Sequence, residues 1–165
     1  MALGSVRITV GAIVLREEAG QPRQVLLTKR RPDRTDWAGL WGVPAGRLEE
    51  GEEVEQALVR ELAEEVGLSA REFEFLETVY AEEPTTGRRY VHNLYLVSKW
   101  EGEAENRAPD EHESIAWVGA ADVASLPMPA RLRETLLALL GEERPSAAHR
   151  STSSRGGPAS GGGSP

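Results

Sequence analysis

Apolar positions recur with two different periods along the chain, and the changes of period mark its elements. Val6, Ile8, Val10, Ala12 and Val14 stand at every second position, the period of a strand. Residues 24–29 give a second strand, and residues 32–46, rich in Gly, Pro and Trp, read as a loop carrying a short strand. Over residues 53–66 the period lengthens to that of a helix. Leu58, Leu62 and Val66 fall on one side, and Gly67 stands where a helix ends in a left-handed residue. Residues 73–80 and 90–100 read as strands, with Thr85-Thr86-Gly87 as the turn between them. A short strand is expected at 115–118, and a second helix at 129–140 with Leu132, Leu136, Leu137 and Leu140 along one side. The order β-β-loop-α-β-β-β-α predicts an α+β domain with a sheet between helices.

The pattern stops near Gly141. Residues 142–165 are almost entirely Glu, Arg, Pro, Ser, Ala, Thr, His and Gly, ending in a Gly/Ser/Pro-rich run. No large apolar side chain is there to offset the entropy of ordering, so a flexible tail is expected after a single domain at 1–141. No apolar run is long enough to span a membrane. The first residues lack the basic-then-apolar layout of a signal peptide, so a cytoplasmic protein is expected. The chain has no cysteine, which excludes disulfide scaffolds and Cys-ligated metal sites. P-loop, GxGxxG, GxSxG and HExxH motifs are absent.

Net charge changes the picture. The 165 residues carry −8, which argues against a nucleic-acid polymer or an anionic membrane as partner. Residues 46–68 hold eight Glu and two Arg, so 2 − 8 = −6 of that charge lies in one window. On the predicted helix Glu61, Glu64 and Glu65 share an arc of about 100° beside the core stripe. Like charges at these spacings repel. Arg60 relieves part of the repulsion, and a hard divalent cation would relieve more. A solvated acidic face explains the periodicity as well as a metal site does.

The spacing of this window adds what periodicity leaves open. Gly46, Glu52, Arg60, Glu61, Leu62, Glu64, Glu65, Gly67 and Leu68 fit the pattern Gly-x5-Glu-x7-Arg-Glu-apolar-x-Glu-Glu-x-Gly-apolar without a gap. A chance match is on the order of one in 10⁵. This segment resembles the Nudix box, and the strand order around it resembles the family layout. The resemblance implies the Nudix fold, an α/β/α sandwich with a mixed β-sheet between helices. It also implies a metal-dependent hydrolase of nucleoside diphosphates linked to another group. By position, Glu61 and Glu65 would hold Mg2+ (or Mn2+), with Glu64 a ligand or the base toward water. The backbone carbonyls near Ala45 and Gly46 would complete the site. Gly46, Glu52, Arg60 and Gly67 would be structural.

The stretch from Trp100-Glu101-Gly102-Glu103 to Trp117-Val118 resembles the MutT-type branch, which implies a (d)NTP, oxidised or not, cleaved to NMP and pyrophosphate. In that branch an acid in this region joins the metal site, and Glu113 and Glu111 are the candidates. The branch's 8-oxo-dGTP enzyme has an Asn just before the last helix. This chain has Leu126-Pro127-Met128-Pro129-Ala130 there, and its two Asn are Asn93 and Asn106. Pro84, sixteen residues after Leu68, resembles the ADP-ribose pyrophosphatases instead. Two alternatives therefore stay open: a nucleotide-sugar or dinucleotide pyrophosphatase, and a non-catalytic nucleotide-binding sensor. Lys29, Arg30 and Arg31 could hold phosphate, or equally form a solvated strand end; Trp37, Trp41, Tyr90, His92 or Tyr95 could contact the base, although most such aromatic positions are core. A homodimer also stays open.

Overall fold

The computed structural model describes residues 5–141, so the expected tail lies outside the described residues. The elements are β1 (Val6–Arg16), β2 (Gln24–Arg30), β3 (Trp41–Gly42), β4 (Ala45–Arg47), α1 (Val54–Val66), β5 (Ser69–Glu82), β6 (Arg89–Glu101), β7 (His112–Val118), α2 (Ala120–Val123) and α3 (Ala130–Gly141). The strands form one mixed sheet in the order β3-β2-β1-β6-β5, with β4 beside β1 and β7 beside β2. Among the described strands only β1 and β6 run parallel, from Val6↔Arg89 to Val14↔Val97.

Central placement explains the one departure from the expected β1 alternation. Val10, Ala12 and Val14 pack with Leu58, Leu62 and Val66 of α1. Ile13 packs on the other face with Leu27, Leu94 and Leu136 of α3. The middle of β1 is thus buried on both sides. Val6 and Ile8, beyond the reach of α1, remain 49% and 50% exposed. Helices cover both faces, which makes the sandwich. Leu136 is the fully buried residue of α3, while Leu132, Leu137 and Leu140 pack half-buried around it.

α1 begins where Gln56 Oε1 accepts the Glu53 N–H at 3.0 Å, a reciprocal cap of the kind that satisfies first-turn donors. It ends at Gly67, whose φ of 73° suits a residue without Cβ. Among the described residues, no helix is long and apolar enough to cross a membrane.

The sheet contains a split. β1 pairs with β2 at only two positions, Leu15↔Val25 and Arg16↔Gln24. Toward its N-terminal half β1 pairs instead with β4, at Thr9↔Arg47 through Gly11↔Ala45. β2 turns away to pair with β3 and β7. The cleft opens where β1 and β2 part.

Candidate active site

A cavity of about 650 Å³ fills this cleft, within the range of small-molecule sites. Thr9 and Gly11 of β1, Thr28 and Arg30 of β2, and Tyr90, His92 and Leu94 of β6 line it. Glu61 and Glu65 of α1 and the Glu111-His112 pair close one end.

Helix geometry separates the three glutamates. Taking Glu61 as zero, Glu65 lies at about +40° and Glu64 at about −60°, with the apolar stripe between about +60° and +140°. Side-chain exposure follows that order: 3% for Glu65, 15% for Glu61 and 60% for Glu64. Glu65 Oε2 accepts the Ala45 N–H at 3.0 Å, which ties α1 to β4. Glu61 lies against Gly46: a Cβ built there would fall 2.0 Å from its Cδ. Glycine at 46 is therefore the space for a carboxylate.

Arg60 holds these groups in place. Its Nε and Nη2 donate to both oxygens of Glu52 at 2.7 and 2.8 Å, a bidentate pair. Nη1 donates to Glu61 at 2.7 Å and Glu64 at 3.2 Å, and Nη2 also reaches the Arg47 carbonyl at 3.1 Å. One guanidinium thus joins helix, approach loop and β4. Arg60 hydrogen bonding and the Glu49 N–H hold the Glu52 carboxyl down at about 2.

The cluster is electrostatically unfinished as protein alone. Burial pushes the Glu61 carboxyl up to about 7 against the pull of Arg60, with Glu65 adding like charge. Burial raises Glu65 too, against His112 and the Ala45 N–H. Folded metal-free protein therefore holds the Glu61 proton up to about pH 7, while the unfolded chain loses it near 4.5. The folded state binds more protons in that window, so stability falls as pH rises through it. Without metal the wild-type chain should lose stability relative to Glu61→Gln, by at most about 3 kcal/mol, between about pH 4.5 and about pH 7. Taking the difference cancels His92, whose pKa burial lowers and whose slope therefore has the opposite sign. Saturating divalent metal should remove the loss at the upper end. Thermal melts of both proteins across this range check it, and parallel curves without metal would refute it.

A second element completes this end of the cavity. Residues 104–111 dock on the end of α1 through Glu105 N to Val66 O at 3.1 Å and Arg107 N to Glu65 O at 2.9 Å. The Glu111 and His112 N–H groups both donate to Ala108 O, each at 2.9 Å, and the Arg31 N–H donates to Glu111 O at 2.9 Å. Asn106 Nδ2 donates to His112 O at 2.8 Å. The fastened loop places one ligand atom each of Glu65, Glu111 and His112 within 4.8 Å of one another. Clustered carboxylates beside buried imidazole nitrogens with no hydrogen-bond partner fit a divalent cation.

The opposite end is aromatic and polar. Tyr90 and His92 rings stack at 5.2 Å, and Trp37 tilts over both at 5.7 and 6.3 Å. Trp37 has φ 57°, an uncommon value for a residue with a side chain. Buried Asp36 accepts hydrogen bonds from the Tyr90 hydroxyl and, at 3.1 Å, from Arg88, and pairs with Arg7 at 3.5 Å. Burial pushes its carboxyl up, but Tyr90 and Arg88 outweigh that and leave it lowered.

Comparison with known proteins gives this geometry a family. A model described as NUDIX domain matches residues 6–139. The chain belongs to the Nudix family. It is 34% identical over 132 residues to the 8-oxo-dGTP diphosphatase of Escherichia coli (strain K12), covering 78% of this chain and 96% of that protein. It is 32% identical over 103 residues to the CTP pyrophosphohydrolase of the same organism, covering 62% and 73%. The MutT NUDIX hydrolase from Burkholderia pseudomallei superposes with a TM-score of 0.69 at 31% identity, covering 80% of this chain and 96% of that one. The NUDIX domain of Shewanella oneidensis NrtR, solved with ADP ribose, gives 0.68 at 25% identity, covering 83% and 87%. The Nudix hydrolase is thus a MutT-like pyrophosphohydrolase, from a family that uses divalent metal ions.

In this Nudix hydrolase the residues expected from the sequence divide by position. Glu61, Glu65, Ala45, Gly46, Arg60, Arg30, Trp37, Trp41, Tyr90 and His92 line the cavity. Glu64 faces solvent beside Arg60. Arg31 turns outward to Asp33 at 3.0 Å, and Tyr95 packs on the opposite sheet face with Phe73 and Phe75. Of the two acids flanking His112 at the start of β7, Glu111 joins the cluster, whereas Glu113 pairs with Lys29 at 3.2 Å. A β7 register irregularity explains this: Arg30 pairs with His112 and Lys29 with Ser114, so Glu113 is bulged out of the ladder. Asp36, Arg7, Arg88 and His112 were not singled out by the sequence.

Proposed function

We propose that this Nudix hydrolase cleaves a nucleoside triphosphate, oxidised or not, to the nucleoside monophosphate and pyrophosphate, using Mg2+ or Mn2+. One observation carries the reading: a single cavity runs from the acidic end at Glu61 and Glu65 to the aromatic end at Trp37, Tyr90 and His92. Phosphates belong at the first end and the base at the second, because aromatic faces stack on nucleobases. The names of two relatives, an 8-oxo-dGTP diphosphatase and a CTP pyrophosphohydrolase, support a triphosphate.

Glu61, Glu65 and the carbonyls at Ala45 and Gly46 would hold the ion, with Glu111 beside them. When bound, a divalent ion there neutralises charge that builds on the phosphoryl oxygens and activates water. Arg60 orients Glu61 and keeps Glu64 within the cluster's field. Glu64, exposed and paired with Arg60, is the proposed acceptor of the water proton. Trp37 and His92 exclude solvent from the base end.

The test is pyrophosphate release with Mg2+ over a panel of canonical and oxidised NTPs and dNTPs, ADP-ribose, diadenosine polyphosphates and nucleotide sugars. Turnover of triphosphates well above all others is expected. Turnover of ADP-ribose alone would overturn the triphosphate reading, and binding without turnover of any member would favour a sensor.

A further inference from the structure

The acidic end of the cavity also presents a nitrogen. His112 is 5% exposed; Nδ1 has no hydrogen-bond partner, and Nε2 meets only the Glu65 carboxylate, outside good hydrogen-bond geometry. Leaving such groups unsatisfied in the interior is costly, and native structures rarely do so without a ligand, ion or water. Its backbone is held at both the N–H and the carbonyl, by Ala108 and Asn106, so the ring's place is set by the loop and by β7. Nε2 points at the carboxylates, 3.4 Å from Glu65 Oε2 and 4.0 Å from Glu111 Oε2. In an octahedral ion site with ligands at about 2.1 Å, neighbouring ligands are about 3.0 Å apart and opposite ones about 4.2 Å. Both His112 distances fall between these limits. His92, the other described histidine, is already hydrogen-bonded to Thr9 through Nδ1.

We propose that His112 Nε2 is a direct ligand of the divalent ion, beside Glu65 and Glu111, and that this nitrogen shifts the site's preference from Mg2+ toward first-row transition ions. Mg2+ takes oxygen ligands, whereas affinity for imidazole rises along the transition series from Mn2+. The inference rests on the pyrophosphohydrolase reading only in placing an ion at Glu65. The competing role is positioning: a ring N–H donated to Glu65 that steadies the carboxylate and never touches metal.

The experiment loads full-length protein, carrying 15N-labelled histidine, with Mn2+ and records electron spin-echo modulation. Binding constants for Mn2+, Co2+ and Mg2+ are measured by calorimetry on wild type and His112→Asn. A directly bound nitrogen is expected in wild type and absent in His112→Asn. Mn2+ and Co2+ should bind the variant at least about tenfold more weakly, the loss that even an outer partner's removal causes. Mg2+ affinity should change severalfold less. If His112→Asn does not fold, the double variant lacking His92 and His149 takes its place. It leaves His112 as the sole histidine of three, and the nitrogen signal must survive there. No nitrogen coupling in wild type, a signal that persists without His112, or equal weakening of all three metals would overturn the proposal. Mg2+-supported turnover of wild type is measured separately. Turnover without nitrogen coupling rejects only the ligand, and coupling without turnover rejects only the hydrolase reading.

Discussion

Glu65→Gln should lower turnover by about 10²- to 10⁴-fold, the range in which loss of a group acting directly on the reaction falls. The substitution keeps side-chain volume and an oxygen able to accept the Ala45 N–H, which Glu65 Oε2 now takes at 3.0 Å. What it removes is the charge. Burial already raises the Glu65 carboxyl, so its ionised form is disfavoured in the metal-free fold. A neutral isostere should therefore melt at the same temperature as metal-free wild type or higher. The stabilisation that added Mg2+ gives wild type should shrink in the variant, because ligands that bind only the folded state raise its stability. Steady-state rates with Mg2+ and melts with and without it make the comparison. Near-normal turnover would remove Glu65 from the machinery, and a large drop in metal-free melting temperature would turn its role into a structural one.

Gly46→Ala should have the next largest effect, and for a different reason. Gly46 is not among the glycines with positive φ, so alanine fits its backbone. The added Cβ would lie 2.0 to 2.3 Å from the Glu61 carboxyl atoms, far inside contact distance. That carboxyl is the end of a flexible side chain, so it can swing away at little cost in stability. It would then leave the site and lose its 2.7 Å bond to Arg60. Turnover is expected to fall about 10²-fold, comparable to losing one charge-stabilising group. The freed carboxyl should titrate nearer its ordinary range, so the metal-free loss of stability toward pH 7 should vanish as it does in Glu61→Gln. Full activity in Gly46→Ala would show that Glu61 does not need its place against Gly46.

These effects concern the part of the site that the sequence makes legible. Glu52, Arg60, Glu61 and Glu65 lie on one helix and its approach loop, where spacing alone fixes relative position. Burial in α1 follows the angular order of its glutamates for the same reason. The aromatic end is not local. Asp36 meets Arg7, Arg88 and Tyr90 across separations of 29, 52 and 54 residues, and no spacing rule reaches that far. Its segment lies in a Gly- and Pro-rich stretch with no period to read. His112 was missed because β7 starts three residues earlier than the apolar run at 115–118 suggests. The choice between Glu111 and Glu113 depends on a bulge that leaves no mark in composition. The cleft itself arises because β1 exchanges β2 for β4 as its partner, a pairing that depends on the whole sheet.

The most direct single measurement is the product ratio for purified wild-type chain acting on 8-oxo-dGTP and on its canonical counterpart with Mg2+, followed by phosphorus NMR. One pyrophosphate per nucleoside monophosphate, with no turnover once the metal is chelated, is the expected result. Orthophosphate as the product, undiminished turnover under chelation, or no hydrolysis of these two or of any other nucleoside triphosphate in the panel would contradict a metal-dependent triphosphate pyrophosphohydrolase.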